Sequence, residues 1–145
     1  MSFALDIRRF AEKAKDNADT VVGAVVVSVA AELDRRSPVG DATFWKNPPP
    51  KGYVGGRFRG NWQLGIGTIP TVERDVVDTN GTIALPAITA AIPDDAAGKI
   101  YYLANNVPYA QRLELGWSGQ APQGLVGLTV QSFQQKIKEA VELLP

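Results

Sequence analysis

The first 36 residues carry the pattern that most constrains the fold. Apolar side chains recur there at steps of three and four residues, which places them on one side of a helix: Phe3, Ile7, Phe10, Ala14, Ala18, Val21, Val25, Val29 and Leu33. The valine-rich run over residues 20–29 favours a strand and Gly23 weakens a helix, but the stripe continues across both. We therefore predict one helix of about 50 Å that runs to Arg36 and ends because Pro38 disfavours helical geometry at Ser37. So long a helix exceeds what a small domain covers, and part of it is expected to pack on another copy.

Composition narrows the class of protein. The chain has 145 residues, of which 45% are hydrophobic and 21% charged, which fits one globular domain spanning residues 1–145. Basic and acidic residues are equal in number, so no overall field draws the chain to nucleic acid or to a membrane surface. No apolar run suits a membrane span or a signal peptide, and we expect synthesis in the cytoplasm.

Two residue types are absent from the sequence. It contains no Cys and no His, which excludes disulfides, thiolate nucleophiles, the Ser-His-Asp triad and the usual zinc sites. The side chain that most readily titrates near neutral pH is therefore missing as well. We expect a protein that is not an enzyme and that binds no cofactor or metal ion.

Residues 37–60 are predicted to form an extended arm. Three consecutive prolines at 48–50 favour polyproline geometry, and the flanking glycines suit turns. The arm also holds four aromatic side chains, which gain most by packing, and a neighbouring subunit is one candidate surface for them: Phe44, Trp45, Tyr53 and Phe58. The arm carries one acid, Asp41, and four basic residues: Lys46, Lys51, Arg57 and Arg59. Basic residues interleaved with aromatics can also bind nucleic acid. An ordinary solvated loop with packing aromatics is favoured over nucleic-acid binding, because four cations without a further basic helix are a weak pattern.

Three central segments are predicted to form strands. Residues 61–69 alternate in polarity, with Trp62, Leu64 and Ile66 on one side, as in a half-buried strand. Residues 72–77 are predicted as a second, short strand before a turn at 78–81. Residues 99–106 are rich in aromatic and branched side chains and end in an Asn-Asn turn, which predicts a further strand.

Three further helices are expected. Residues 82–92 predict a short helix with Pro86 in its first turn, and residues 108–116 another that ends at Gly116. Residues 124–144 predict an amphipathic helix with one apolar stripe: Val126, Val130, Phe133, Ile137, Val141 and Leu144. The fold class is therefore α+β. A small antiparallel sheet, within residues 61–145, is flanked by the long N-terminal helix of residues 1–36 and by the C-terminal helix, with the arm between.

Individual chemical motifs are weak. The glycines in "GGRFRGNW" precede a strand and lack the Gly-Lys-Ser/Thr ending of a phosphate loop. Asp94 and Asp95 sit in a polar turn, where solvated acids are common. Glu114 lies between two leucines without an evident partner for acid–base chemistry. A salt bridge to Arg112 of a neighbouring copy, or simple solvation, is favoured for it.

Two blocks of sequence resemble a known family. The first is "SPVGD…GGRFRGNW", a Ser-Pro-Val followed by a Gly-Arg-X-Arg-X-X-Trp element that enters a strand. The second is "NNVPYAQRLELGWSGQAPQGLVGLTVQSF", in which Asn-X-X-Pro-Tyr-Ala, Leu-Glu-X-Gly and a Pro-containing loop lead into the last helix. In this order, and with two terminal helices, they resemble the neck or tail-completion proteins of tailed bacteriophages. The resemblance spans nearly the whole chain.

The resemblance implies a structural virion protein at the head–tail junction. Such proteins form rings, commonly of six or twelve copies, around the channel through which DNA leaves. Their partners are the head connector and the tail-terminator or tail-tube proteins, and DNA passes without specific recognition. A tail terminator, or a nucleic-acid-binding accessory protein that uses the basic arm, is the alternative. We expect the subunit or partner interface to include Phe44, Trp45, Tyr53, Arg57, Phe58, Arg59, Trp62, Tyr109, Arg112, Glu114 and Trp117, and the residues facing DNA to include Lys46, Lys51, Arg57 and Arg59.

Overall fold

The computed structural model describes residues 3–41, 43 and 46–145, with side chains from Asp6 onward. In chain order its elements are α1 (Phe3–Arg36), α2 (Arg57–Gly60), β1 (Trp62–Ile66), α3 (Ala84–Ala91), β2 (Tyr101–Asn105), α4 (Ala110–Glu114), α5 (Val126–Gln131) and α6 (Phe133–Glu142). This confirms an α+β protein with a long N-terminal helix, an antiparallel sheet of two strands and C-terminal helices. Within the described residues, no helix is both long and apolar enough to cross a membrane.

Helix α1 is buried along only part of its length. Its C-terminal half contributes Ala30 and Leu33 to the core, at 3% and 4% exposure. Every side chain from 6 to 16 is exposed, including Ile7 at 51% and Phe10 at 75%. The predicted apolar stripe therefore continues beyond the body of the molecule, onto a part of the helix that its own chain does not cover.

The core lies where α1, α2, α3 and the sheet meet. Its buried members are Ala30, Leu33, Phe58, Trp62, Ala84, Ile88, Val107, Ala121 and Leu125. The rings of Phe58 and Trp62 meet edge to face, with centroids 5.6 Å apart. The Trp62 indole N–H donates to Ser37 Oγ at 2.7 Å, and that hydroxyl donates to the Leu33 carbonyl at 2.6 Å. Strand β1 is thereby tied to the end of α1 without leaving the buried indole unsatisfied.

The two strands pair in antiparallel fashion, with Trp62 opposite Asn105 and Ile66 opposite Tyr101. Trp62 is in the core, and Leu64 packs against it. The opposite side of β1, which carries Gln63 and Gly65, is covered by residues 68–76.

Residues 72–77 do not form the predicted strand. Side-chain amides hold this segment in place of a backbone ladder: Asn61 Oδ1 accepts from Arg74 N–H at 2.7 Å, and Gln63 Nε2 donates to the Val72 carbonyl at 2.8 Å. Gly65 is required beneath it, because a Cβ there would lie 2.6 Å from the ring of Pro70. The segment's backbone hydrogen bonds are thus met by side chains, which a residue pattern for strands does not reveal.

Helix α3 begins beneath a buried carboxylate. Asp78 is 1% exposed and accepts N–H groups of Thr82 (2.8 Å), Ile83 (3.1 Å) and Ala84 (3.0 Å). Burial would raise the pKa of Asp78, but these backbone hydrogen bonds outweigh it and lower the pKa below its ordinary value. The sequence predicted the helix and its early Pro86 correctly, but it identified Asp78 only as part of a turn.

The C-terminal helix differs from the prediction in two ways. It is split at Ser132, where the N–H donates to the Thr129 carbonyl three residues back, and α5 and α6 lie on either side. Its inward side is also not the predicted apolar stripe. Thr129 and Ala140 are buried, and Lys136 is largely covered. The predicted stripe, one position further along, is exposed from Val126 to Val141, and only its last member, Leu144, is half-buried.

Candidate protein interface

A surface groove brings together several of the predicted interface residues. It has a volume of about 1010 Å³ and lies between residues 53–58 and the α4 region. We call it the aromatic groove; its lining includes Tyr53, Val54, Arg57, Phe58, Val77, Tyr109, Leu113 and Trp117. Phe44 and Trp45, also predicted to contribute, lie outside the described residues.

The most exposed large apolar side chain of the groove is Trp117, which is 70% exposed. Its position follows from the end of α4, where Gly116 has φ +88°. Gly116 N–H donates to the Leu113 carbonyl and Trp117 N–H to the Arg112 carbonyl, both at 3.1 Å. This is the glycine-terminated Schellman ending that the sequence suggested at Gly116. The Arg112 guanidinium then lies 5.2 Å from the Trp117 ring centroid, a cation–π contact that orients the indole while leaving much of it open to solvent.

The two groove tyrosines are partly covered. Tyr53 and Tyr109 are 38% and 37% exposed. Burial raises the pKa of Tyr109, and the nearby Tyr53 adds to this, so the phenol stays neutral and keeps its hydroxyl proton. A rim formed by an exposed indole and two phenol rings suits contact with another protein, because aromatic side chains supply large contact areas with few rotatable bonds.

Glu114 has a structural role that the sequence did not reveal. Its carboxylate accepts N–H groups at the start of α5 from Leu125 (3.0 Å), Val126 (2.9 Å) and Gly127 (3.1 Å). Burial would raise the pKa of Glu114, but the three backbone hydrogen bonds lower it below its ordinary value. The carboxylate therefore caps a helix of its own chain and is not simply solvated. The salt bridge to Arg112 of a neighbouring copy stays a prediction.

Two predicted interface aromatics are interior residues. Phe58 and Trp62 are each 5% exposed and belong to the core. Trp62 therefore offers almost no surface to a neighbouring chain, and Phe58 offers only the small exposed part that lines the aromatic groove.

Two of the four cations of the arm, Arg57 and Arg59, are engaged with acids. Arg57 lies 2.9 Å from Glu73 and 3.1 Å from Asp75, and Arg59 lies 3.1 Å from the largely buried Asp34. Three carboxylates from outside the arm thus offset the positive charge that the sequence shows within it. Of the four predicted DNA-facing residues, Lys46 and Lys51 are exposed, and the two arginines are held in ion pairs.

A second exposed surface lies on the C-terminal helices, on the apolar stripe that the sequence pattern indicated as their packed side. Five apolar side chains line the solvent side of α5 and α6, between 36% and 65% exposed: Val126, Val130, Phe133, Ile137 and Val141. We call this stripe the outward face.

The inward side is fixed by Glu32 of α1, which lies 2.8 Å from Lys136, 3.0 Å from Arg36 and 2.8 Å from the Ser132 hydroxyl. Burial would raise the pKa of Glu32, but these hydrogen bonds lower it to about 2.

Charge pairing on the inward side determines how the helix is rotated. Lys136 is 13% exposed and Glu32 7% exposed, so Lys136 would be a largely buried, unpaired charge without Glu32, which also pairs with Arg36. The pair turns the polar side of α6 toward α1, and the adjacent apolar stripe is turned toward solvent. This reverses the usual orientation of an amphipathic surface helix.

The described side chains form no metal-binding cluster. No group of three or more potential ligands lies close enough to hold a metal ion among them. Asp95, one of the adjacent acids noted in the sequence, pairs with Lys99 at 3.0 Å.

Comparison with known proteins adds no relatives: no protein-family model, no curated protein and no solved structure matches this chain.

Proposed function

We propose that this protein is a structural subunit of the neck of a tailed bacteriophage, a tail-completion protein. Copies of it close into a ring around the DNA exit channel and join the head connector to the tail. The protein acts in the virion and performs no catalysis. The ordered motifs of the sequence support this family, and the outward face of α5 and α6 is the observation that carries the proposal.

The outward face supports assembly because it is a continuous apolar surface. Soluble monomers expose apolar side chains singly, whereas contiguous apolar stripes mark protein contacts. Here the stripe runs along two helices whose polar side is held inward by Glu32 and Lys136. The aromatic groove provides a second, separate contact surface on the same chain. A ring requires two such different surfaces on each subunit, since its contacts are head to tail.

The electrostatics also suit a channel that releases DNA. The chain has no net charge, and Arg57 and Arg59 are paired with carboxylates. DNA affinity depends on unneutralised cations that displace counterions from phosphates. The ion pairs therefore favour a subunit that surrounds DNA over an accessory protein that grips it through the arm.

Light scattering after size-exclusion chromatography tests the proposal. We expect a discrete species of six or twelve times the 15.6 kDa subunit mass, either for the protein alone or after addition of the head connector of the same virion. Electron microscopy of that species should show a central opening. A monomer under both conditions would contradict the proposal. A ring that binds isolated tail tubes but not connectors would make the protein a tail terminator.

A matched pair of variants links the ring to the outward face. Val130→Ser removes an apolar side chain that is 65% exposed on that face, and Val72→Ser makes the same change at 68% exposure elsewhere. We expect Val130→Ser to shift assembly to higher protein concentration and Val72→Ser to leave it unchanged. Equal behaviour of the two variants would show that the outward face is not a contact.

A further inference from the structure

We propose that the outward face of each subunit is covered by the N-terminal part of α1 from a second copy. We call residues 6–16 of α1 the α1 tip. This inference rests on the proposed ring and names the two surfaces that meet in it. The contact is head to tail, because the tip and the outward face are different parts of the chain.

The α1 tip is an amphipathic helix without a covering surface in its own chain. Ile7 and Phe10 are 51% and 75% exposed, and every other side chain of the tip is exposed as well. The five side chains of the outward face are also exposed. Since both surfaces are uncovered in one subunit, they do not contact each other within it.

The two surfaces match in length and spacing. The tip of eleven residues is about 16 Å long, and α6, which carries Phe133, Ile137 and Val141 of the outward face, has ten residues and is about 15 Å long. Apolar residues recur at steps of three and four on both, which is the spacing at which the side-chain ridges of one helix enter the grooves of another. Ala14, one turn beyond Phe10, has a small side chain that permits the two helices to approach closely.

Charge favours the tip as the occupant. Residues 6–16 contain four basic and three acidic residues. On α6, Lys136 is held by Glu32, so Lys138 stands against two acids, Glu139 and Glu142. A slightly basic tip thus meets a slightly acidic helix, whereas two outward faces, or two tips, would bring together like charges.

The size of this contact explains why it would produce a ring. Two helices that touch over at most about 16 Å bury far less than the roughly 800 Å² per partner of a standard stable complex. A single tip-to-face contact is therefore weak, and an isolated pair is short-lived. Closing a ring adds one contact beyond those needed to join the subunits, and that last contact forms within one assembly, at high effective concentration.

Disulfide cross-linking tests which surfaces meet. The chain contains no Cys, so a single introduced Cys is the only thiol in each variant, and any disulfide identifies a contact at that position. We would mix Phe10→Cys with an affinity-tagged Phe133→Cys and oxidise briefly. A second mixture would pair Phe10→Cys with tagged Trp117→Cys, which tests the aromatic groove as the alternative site. Each variant alone is a control, and circular dichroism confirms that each one folds. All three positions are at least 44% exposed.

We expect a mixed disulfide between Phe10→Cys and Phe133→Cys. It should form about a hundredfold faster than the mixed product with Trp117→Cys, since thiols held in contact have an effective concentration of about 1 mM while the free protein is mixed at about 10 µM. Equal rates, a faster product with Trp117→Cys, or a dominant Phe10→Cys homodimer would each overturn the inference.

The same samples separate this inference from the proposed function. A ring mass without the tip-to-face product rejects the inference and keeps the neck proposal. The tip-to-face product in a species that remains a dimer, even with the connector present, keeps the inference and rejects the ring. Monomer without any mixed product rejects both.

Discussion

Replacing Glu114 by Gln tests whether this carboxylate holds the start of α5. The amide oxygen can still accept the N–H groups of Leu125 and Val126, but the amide nitrogen then faces the N–H of Gly127. One hydrogen bond is lost, and the other two no longer involve a charged acceptor. A hydrogen bond to a charged group contributes about 1.5–3 kcal/mol to stability, and one between neutral groups contributes about 1 kcal/mol. Water reaches the exposed residues 126 and 127 and offsets part of this. We expect a loss of about 2 kcal/mol in the free energy of unfolding.

Urea unfolding, followed by circular dichroism at a fixed low protein concentration, measures this difference. The matched control is Glu142→Gln, the same change at an exposed position in the last turn of α6, which should alter stability by less than about 0.5 kcal/mol. The pH dependence has a defined sign. Because folding lowers the pKa of Glu114, its contribution is complete above the unfolded value of about 4.3 and is lost as the pH falls through the folded pKa.

The difference between wild type and Glu114→Gln should therefore be largest near neutral pH and should shrink in acid. The reasoning is refuted if Glu114→Gln is no less stable than Glu142→Gln at about pH 7. It is also refuted if the deficit does not shrink at all as the pH is lowered below the unfolded value, since protonation of the carboxyl group removes the charge that the wild type has and the variant lacks.

Two further predictions concern stability. Glu32→Gln leaves the largely buried Lys136 without its charge partner and should cost about 3 kcal/mol of unfolding free energy near neutral pH, measured by urea unfolding. Because the folded pKa of Glu32 is about 2, this loss of stability should narrow as the pH falls from about 4.5 to about 2. The control Glu12→Gln, on the exposed part of the same helix, should show no loss of stability. Gly56→Ala should destabilise the fold by more than about 2 kcal/mol, because φ is +125° and a Cβ would lie 2.6 Å from backbone atoms of residues 78 and 79. The control Gly52→Ala, where φ is +78° and the space around the residue is open, should cost only about 1 kcal/mol. Equal losses of stability for the two variants in a thermal melt would contradict this account.

The elements that the sequence predicts well are those determined by local pattern. Helix α1 continues through its valines and Gly23 because the apolar stripe is unbroken, and the alternation around Leu64 marks β1. The segment at 72–77 was predicted as a strand because of its branched residues. It fails to pair because Asn61 and Gln63 satisfy its backbone groups, and a pattern of hydrophobicity carries no information on such distant amide contacts.

The candidate interface was predictable in part. Tyr53, Arg57, Tyr109 and Trp117 do share one groove, and the glycine ending of α4 that presents Trp117 was visible in the sequence. The rotation of α6 was not predictable, because it depends on a pairing between Glu32 and Lys136, residues more than a hundred positions apart. The role of Glu114 was likewise hidden, since Leu125 lies eleven residues away.

The apolar character of the outward face has a consequence for temperature. Burial of apolar surface is driven by the entropy of water near room temperature and weakens on cooling, unlike a contact made chiefly of ion pairs. An assembly held by Val130, Phe133 and their neighbours should therefore loosen in the cold and tighten on warming, with a negative heat capacity of association. Subunits purified in a cold room would be recovered dissociated, and the ring would close only when the sample is warmed.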